Sequence, residues 1–70
     1  MTKVVSEVAG NVWQVEVKVG QAVTDGETLM VIESMKMEIP VEAPHAGTVA
    51  ELRVNKGDPV EEGTILVVLD

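Results

Sequence analysis

Few side chains in this 70-residue sequence could take part in covalent chemistry, and one of them stands in an unusual setting. There is no cysteine and only one histidine. The chain therefore cannot form a disulfide or a thiol nucleophile, and it lacks the ligands for an iron–sulfur cluster or a structural zinc ion. Lys36 lies between Met35 and Met37, with Glu33 and Glu38 on either side. An exposed lysine is usually a solvated charge, but exposed methionines bring no gain in solubility. The pattern therefore favours a recognition handle built around the lysine amine.

Enzymatic alternatives find little support in the sequence. His45 could act as a base, but apart from the threonines only Ser6 and Ser34 offer hydroxyl nucleophiles, and no motif places a third group beside them. We expect His45 in an exposed loop. No glycine-rich stretch continues into Gly-Lys-Ser/Thr, so a phosphate-binding loop is absent. We expect no catalytic residue and no metal site.

The residues around Lys36 predict a tight β-hairpin. The apolar run Leu29–Ile32 is followed, after a very short polar interruption, by an alternating stretch that begins at Met37. A two-residue turn at Met35-Lys36 matches apolar with apolar and polar with polar, pairing Ser34 with Met37, Glu33 with Glu38 and Ile32 with Ile39. Such turns normally use Asn-Gly or Asp-Gly, because their central residues need positive φ. A locally disfavoured turn with Lys36 at its tip indicates selection for something other than folding.

An internal repeat organises the chain. Shifting the sequence by 37 residues aligns Ala9–Glu33 with Ala46–Asp70 without a gap. Identical positions include Gly10, Val12, Val17, Gly20, Val23, Gly26, Leu29 and Val31, which recur as Gly47, Val49, Val54, Gly57, Val60, Gly63, Leu66 and Val68. The four turn glycines keep one spacing, so each half is expected to use the same glycine-dependent turns around one inward valine.

Composition and patterning predict an all-β fold. Valine accounts for 15 of the 70 residues while Phe and Tyr are absent, and β-branched cores favour sheet over helix. Two similar halves can bury their apolar faces only against each other, so we expect a single domain over residues 1–70 built as two antiparallel sheets in a flattened barrel or sandwich. Trp13, the only aromatic residue, is expected in the core or partly buried. Pro40 predicts an edge strand.

Charge and hydropathy restrict the classes of partner that the chain can bind. Five basic against twelve acidic residues give a net charge of −7, which does not suit nucleic acid or anionic membranes. The longest apolar run, Ile65 to Leu69, cannot span a bilayer, and the N-terminus lacks the apolar core of a signal peptide. We expect a cytoplasmic monomer.

The segment Glu33-Ser34-Met35-Lys36-Met37-Glu38 resembles the biotin attachment motif, Ala/Ser-Met-Lys-Met, of the biotinyl/lipoyl attachment domain family. The resemblance extends to Ala43-Pro44-x-Ala46-Gly47-x-Val49 and to Gly57-Asp58-x-Val60-x-x-Gly63, and it is greatest for stand-alone members without an inserted thumb, the thumbless biotin carboxyl carrier proteins. It implies two four-stranded antiparallel sheets with quasi-two-fold symmetry, the modified lysine on an exposed hairpin, and the termini at the opposite end.

The same resemblance implies a function. Lys36 would receive biotin through an amide made by a biotin–protein ligase, and Glu33, Ser34, Met35, Met37 and Glu38 would be recognised by the ligase and other partners. Ser34 stands where Ala is common in the motif. The chain would be a non-catalytic carrier that moves a carboxyl group between biotin carboxylase and carboxyltransferase sites.

Two alternatives stay open from the sequence. Lipoyl domains resemble this fold and present a hairpin lysine, although their motif typically has Asp before and Ala after it, so lipoate, or both cofactors, could be attached. Barrel-sandwich modules without any cofactor form the second alternative.

Overall fold

The computed structural model describes residues 1–70, and all of its regular elements are β-strands. In chain order they are β1 (Thr2–Val5), β2 (Gly10–Val15), β3 (Ala22–Val23), β4 (Thr28–Ser34), β5 (Met37–Glu42), β6 (Gly47–Leu52), β7 (Pro59–Val60) and β8 (Ile65–Leu69). They form two four-stranded antiparallel sheets, with strand orders β1-β8-β6-β3 and β5-β4-β2-β7. We call the first the terminal sheet, since it holds the first and last strands, and the second the hairpin sheet. The predicted fold class is confirmed.

The 37-residue repeat relates the two sheets to each other. Adding 37 to the residue numbers turns β2, β3 and β4 into β6, β7 and β8, and turns β1 into part of β5. The strand order of the terminal sheet thereby becomes that of the hairpin sheet. Each sheet therefore contains strands from both halves of the sequence.

The core lies between the two sheets and is almost entirely aliphatic. Fourteen buried residues form one cluster, most of them valine and leucine. The two long apolar runs supply the central strands β4 and β8, whose buried side chains include Leu29, Ile32, Leu66 and Leu69. A central strand has a neighbour along each edge, so that even the outward Val68 is only 3% exposed, which explains why the run Ile65–Leu69 does not alternate with polar residues.

The glycine turns repeat as predicted. Gly20, Gly26, Gly57 and Gly63 have φ between 83° and 93°, a region that side chains with a Cβ rarely occupy. The two halves also repeat the hydrogen bonds: the Gly26 amide donates to the Ala43 carbonyl at 2.9 Å, and the Gly63 amide donates to the Ser6 carbonyl at 2.8 Å.

Trp13 is not in the core but is partly buried, the second of the two positions expected for it. It lies at a bulge of β2, between Val12 and Gln14, and 47% of its surface is exposed. The buried Val12 beside it takes the inward position, which leaves the indole on the outer face of the hairpin sheet. Apolar and polar residues alternate from Trp13 to Lys18, but the strand itself ends earlier, since β2 ends at Val15. No helix in the structure is long and apolar enough to cross a membrane.

Candidate functional site

The site is a protruding hairpin. Strands β4 and β5 pair as predicted, with Ser34 opposite Met37 and Glu33 opposite Glu38, and Met35-Lys36 form the two-residue turn. Pro40 lies on an edge strand, as expected, because β5 ends the sheet order. An edge position tolerates proline because no neighbouring strand needs its missing amide proton.

The turn is held in a conformation that its residues do not favour. Met35 and Lys36 have φ of 52° and 66°, and they are the only non-glycine residues in the chain with positive φ. Positive φ at both central residues is the type I′ arrangement that matches the twist of a two-residue hairpin. Every other left-handed position in the chain is glycine. The sequence therefore accepts backbone strain only where it places the lysine, and such strain often marks a functional segment.

The tip of the hairpin is open to solvent on all sides. Met35 is 92% exposed and Met37 is 64% exposed, and Lys36 between them is exposed as well. The one salt bridge in the structure joins Arg53 and Glu51, so no carboxylate lies within bridging distance of the Lys36 ammonium. The lysine amine is therefore free to enter the active site of another protein.

One pair of carboxylates lies at the base of the hairpin. Glu33 and Glu38 face each other across β4 and β5, and both are exposed. Like charges directly opposite on a sheet repel each other and reduce stability slightly. Their presence gives the tip an acidic base suited to a basic partner surface.

A packed segment supports the hairpin from below. The Ser34 hydroxyl donates a hydrogen bond of 2.6 Å to the Ala9 carbonyl, 25 residues away. At the next residue, Gly10, a Cβ would collide with the Glu33 carbonyl oxygen, so only glycine allows this close approach. No pattern in the sequence indicates that Ser34 anchors the hairpin. The repeat does carry a signal for Gly10, because its equivalent Gly47 approaches the carbonyl of Asp70 in the same way.

His45 lies far from the hairpin tip. Its Nδ1 donates to the Ala46 carbonyl at 2.7 Å, and its Nε2 then accepts from the Thr2 hydroxyl, also at 2.7 Å. The loop that holds it follows the end of β5 opposite to Met37, at a separation of roughly 20 Å by strand rise. Because Thr2 also pairs with Leu69, both termini lie at this end, as the resemblance implies.

Lys36 lies outside the pocket of the structure. The one pocket, of about 460 Å³, runs between the edge strands β1 and β5, and Lys36 does not line it. No group of three His, Asp or Glu side chains is placed to hold a metal ion. Enzymes usually enclose their substrates in concave sites, whereas this hairpin is convex and suits a group that other proteins act on.

Comparison with known proteins identifies the class of this fold and site. The family model Biotin_lipoyl, described as "Biotin-requiring enzyme", matches residues 1–69. The "Biotin/lipoyl attachment protein" of Bacillus subtilis is 44% identical over 63 residues, which are 90% of this chain and 86% of that protein. The "Biotinylated protein TB7.3 homolog" of Mycobacterium leprae is 39% identical over 64 residues, which are 91% of this chain and 90% of that protein.

Larger proteins contain a similar unit. Pyruvate carboxylase of Staphylococcus aureus is 34% identical over 65 residues, which are 93% of this chain but 6% of that protein. The crystal structure of Kluyveromyces lactis urea carboxylase matches with a TM-score of 0.92 at 33% identity, covering 99% of this chain and 6% of that one. The chain thus spans most of the two small relatives and a small part of each carboxylase.

These findings define the class: the chain is a biotin-requiring attachment domain, a carrier module rather than a catalytic domain. It belongs to the biotin/lipoyl attachment family, and it matches the biotin carrier domains of carboxylases along nearly its whole length.

Proposed function

We propose that Lys36 is the residue to which biotin is attached, and that the modified chain carries a carboxyl group between a biotin carboxylase and a carboxyltransferase. One observation supports this assignment above all. Lys36 occupies the tip of a strained two-residue turn, exposed, without an ion-pair partner, and between two exposed methionines.

Attachment needs a neutral amine, whereas an exposed lysine is an ammonium ion near neutral pH. A biotin–protein ligase therefore has to accept one proton and to supply biotin with an activated carboxyl group. The Lys36 Nζ then attacks the carboxyl carbon, an amide bond forms, and the bond to the activating group breaks, while the nitrogen loses its second proton to the ligase or to solvent. The chain contributes an unhindered amine on a rigid base. Attached biotin supplies the chemistry of accepting and releasing a carboxyl group.

We propose that the ligase recognises the hairpin through two kinds of contact. The thioether side chains of Met35 and Met37 offer adaptable apolar surface that is not used for packing. Glu33 and Glu38 add negative charge on the adjoining sheet face, which a basic partner surface would complement. Ser34 belongs to the same segment and orients it through its bond to Ala9.

Lipoate is the second candidate cofactor. The name of the Bacillus subtilis relative includes both cofactors, and a hairpin lysine suits either one. Methionine on both sides of Lys36 favours biotin, since the lipoyl motif typically has Asp and Ala at these positions.

The deciding experiment measures the intact mass of the purified chain after incubation with a biotin–protein ligase, ATP and biotin, and in parallel with a lipoate ligase and lipoate. We expect one biotin adduct on wild type and none on Lys36→Arg. The matched control is Lys56→Arg, which removes an exposed lysine from a glycine turn and should label normally. A lipoyl adduct alone would indicate that the protein carries acyl groups and not a carboxyl group. Labelling of Lys36→Arg would refute the assignment, and no adduct at all would favour an unmodified module.

We further propose that residues 1–70 act as one monomeric domain in the cytoplasm, serving partner enzymes that provide both carboxylation half-reactions. Sedimentation of the biotinylated chain, alone and with such partners, tests the monomeric state.

A further inference from the structure

The outer faces of the two sheets differ although their folds are equivalent. On the terminal sheet, Val68 pairs with Lys3 on one side and Glu51 on the other, and Glu51 binds Arg53 at 2.7 Å. These long charged side chains stand on either side of a valine that is only 3% exposed. This face has the character of an ordinary solvated surface.

The hairpin sheet has no charged side chain in the equivalent row. Val31 corresponds to Val68, and it pairs with Pro40 and Gln14 where the other sheet has Lys3 and Glu51. Trp13 adjoins this row at the bulge of β2. Its repeat equivalent is Ala50, at the matching bulge of β6. A large half-exposed aromatic residue thus occurs in one half only.

The repeat serves as an internal control for what the fold requires. A feature that both halves share, such as the turn glycines, is explained by folding. The bulge is shared, but the indole is not, because Ala50 fills the equivalent position in an equivalent strand. The fold therefore does not need an exposed Trp13. Tryptophan is among the residues most enriched at the centres of protein interfaces.

We propose that Trp13, Val31 and Pro40, which we call the Trp13 patch, form a docking surface for the biotin–protein ligase, and this inference rests on the proposed function. The partner surface is expected to offer an apolar depression for the indole, edged by basic side chains. Charge complementarity points the same way, because Glu33 and Glu38 form the next outward row between the patch and Lys36.

Reach favours the ligase over the carboxylase components as the occupant. An unmodified lysine extends only about 6 Å beyond its Cα atom, so the ligase must lie directly against the hairpin. Trp13 lies beside the pair of Val12 and Ile32, roughly 10 Å along β4 from the turn. An ordinary interface, about 800 Å² on each partner, is roughly 30 Å across and would include it. Biotin lengthens the arm, so later partners need not approach the sheet as closely.

The test compares the biotinylation kinetics of variants, using a ligase that labels the wild-type chain. Trp13→Ala introduces the residue that the repeat already tolerates at position 50, so the fold should be retained, as circular dichroism will check. We expect kcat/KM for labelling to fall about tenfold through a raised KM, with kcat within about twofold of wild type. Val19→Ala, which trims an exposed valine in a turn of the first half, is the matched control and should label like wild type.

A transplanted tryptophan tests position against mere hydrophobicity. The double variant Trp13→Ala/Ala50→Trp moves the indole to the equivalent site on the terminal sheet, and labelling should stay slow. A direct readout uses wild-type chain labelled with 5-fluorotryptophan, which carries a single fluorine resonance that should shift on addition of ligase.

The docking proposal is overturned if Trp13→Ala labels like Val19→Ala, if the transplant restores the rate, or if Trp13→Ala impairs only carboxylation of the biotinylated chain. Failure of wild type to be labelled by any ligase would refute the proposed function instead, so the two failures are distinguishable.

Discussion

Among single residues, the exposed methionines at the hairpin tip contribute little to the stability of the fold. Because Met35 and Met37 bury little area, Met35→Gln and Met37→Gln should change the free energy of unfolding by no more than about 0.5 kcal/mol. The same variants should slow biotinylation, since the apolar recognition surface is lost. Urea denaturation and single-turnover labelling give the two readouts. Large destabilisation with unchanged labelling would show that the two methionines stabilise the fold and are not recognised by the ligase.

Ser34 has a structural duty that its neighbours lack. Ser34→Ala removes the donor to the Ala9 carbonyl and should lower the free energy of unfolding by about 0.5–1.5 kcal/mol, measured by chemical denaturation. Labelling by the ligase should continue, because alanine is common at this position of the motif. If labelling stopped while the fold persisted, the hydroxyl would be read by the ligase and not only by Ala9.

Among the secondary-structure elements, the hairpin turn lowers the stability of the fold in order to present Lys36. Replacing the turn by Met35→Asn with Lys36→Gly introduces residues that accept positive φ readily, and it should raise the free energy of unfolding by about 1 kcal/mol or more. Under the proposed function, this variant should not be biotinylated, because it lacks Lys36. Thermal unfolding of this variant and of wild type, measured side by side, checks the gain. Equal or lower stability would show that the native turn carries no strain.

The glycines divide into two mechanical classes. Gly26 and Gly63 have positive φ but open space around them, so Ala there should cost about 1 kcal/mol from backbone strain alone, and equally in both halves. Gly10 and Gly47 face backbone carbonyls that a Cβ would strike, and for Gly47 the Asp70 carbonyl oxygen would be 2.8 Å away. Gly10→Ala should therefore cost about 1–3 kcal/mol and shift the base of the hairpin. Denaturation of all four Ala variants would rank them.

At the scale of the whole molecule, the two halves are interleaved. The terminal sheet takes β1 and β3 from the first half and β6 and β8 from the second, so a separated half loses most of its strand partners. Peptides 1–35 and 36–70 should each lack cooperative structure, whereas the intact chain should unfold in one transition. Circular dichroism during thermal unfolding tests both. A cooperative transition in either peptide would refute the interdependence of the halves.

The strand class, the repeat and the register of the hairpin can all be predicted from the amino-acid sequence. Valine abundance, turn glycines at one spacing and the matching of Ser34 with Met37 are local or periodic signals, and they need no knowledge of distant contacts. Biotin attachment at Lys36 was likewise readable as a hypothesis, because the motif is contiguous in the chain.

Other features of the site depend on tertiary contacts and cannot be predicted from local sequence patterns. Patterning placed Trp13 in the core or partly buried, and the bulge in β2 beside the inward Val12 decides between the two, leaving the indole half exposed. The bond from Ser34 to Ala9 and the approach of Gly10 to Glu33 join segments more than 20 residues apart, which no local pattern encodes. The contrast between the two outer faces appeared only when register placed Lys3 and Glu51 beside one valine, and Pro40 and Gln14 beside its equivalent. Periodicity fixes which residues can face inward, whereas packing between sheets fixes which surfaces remain for partners.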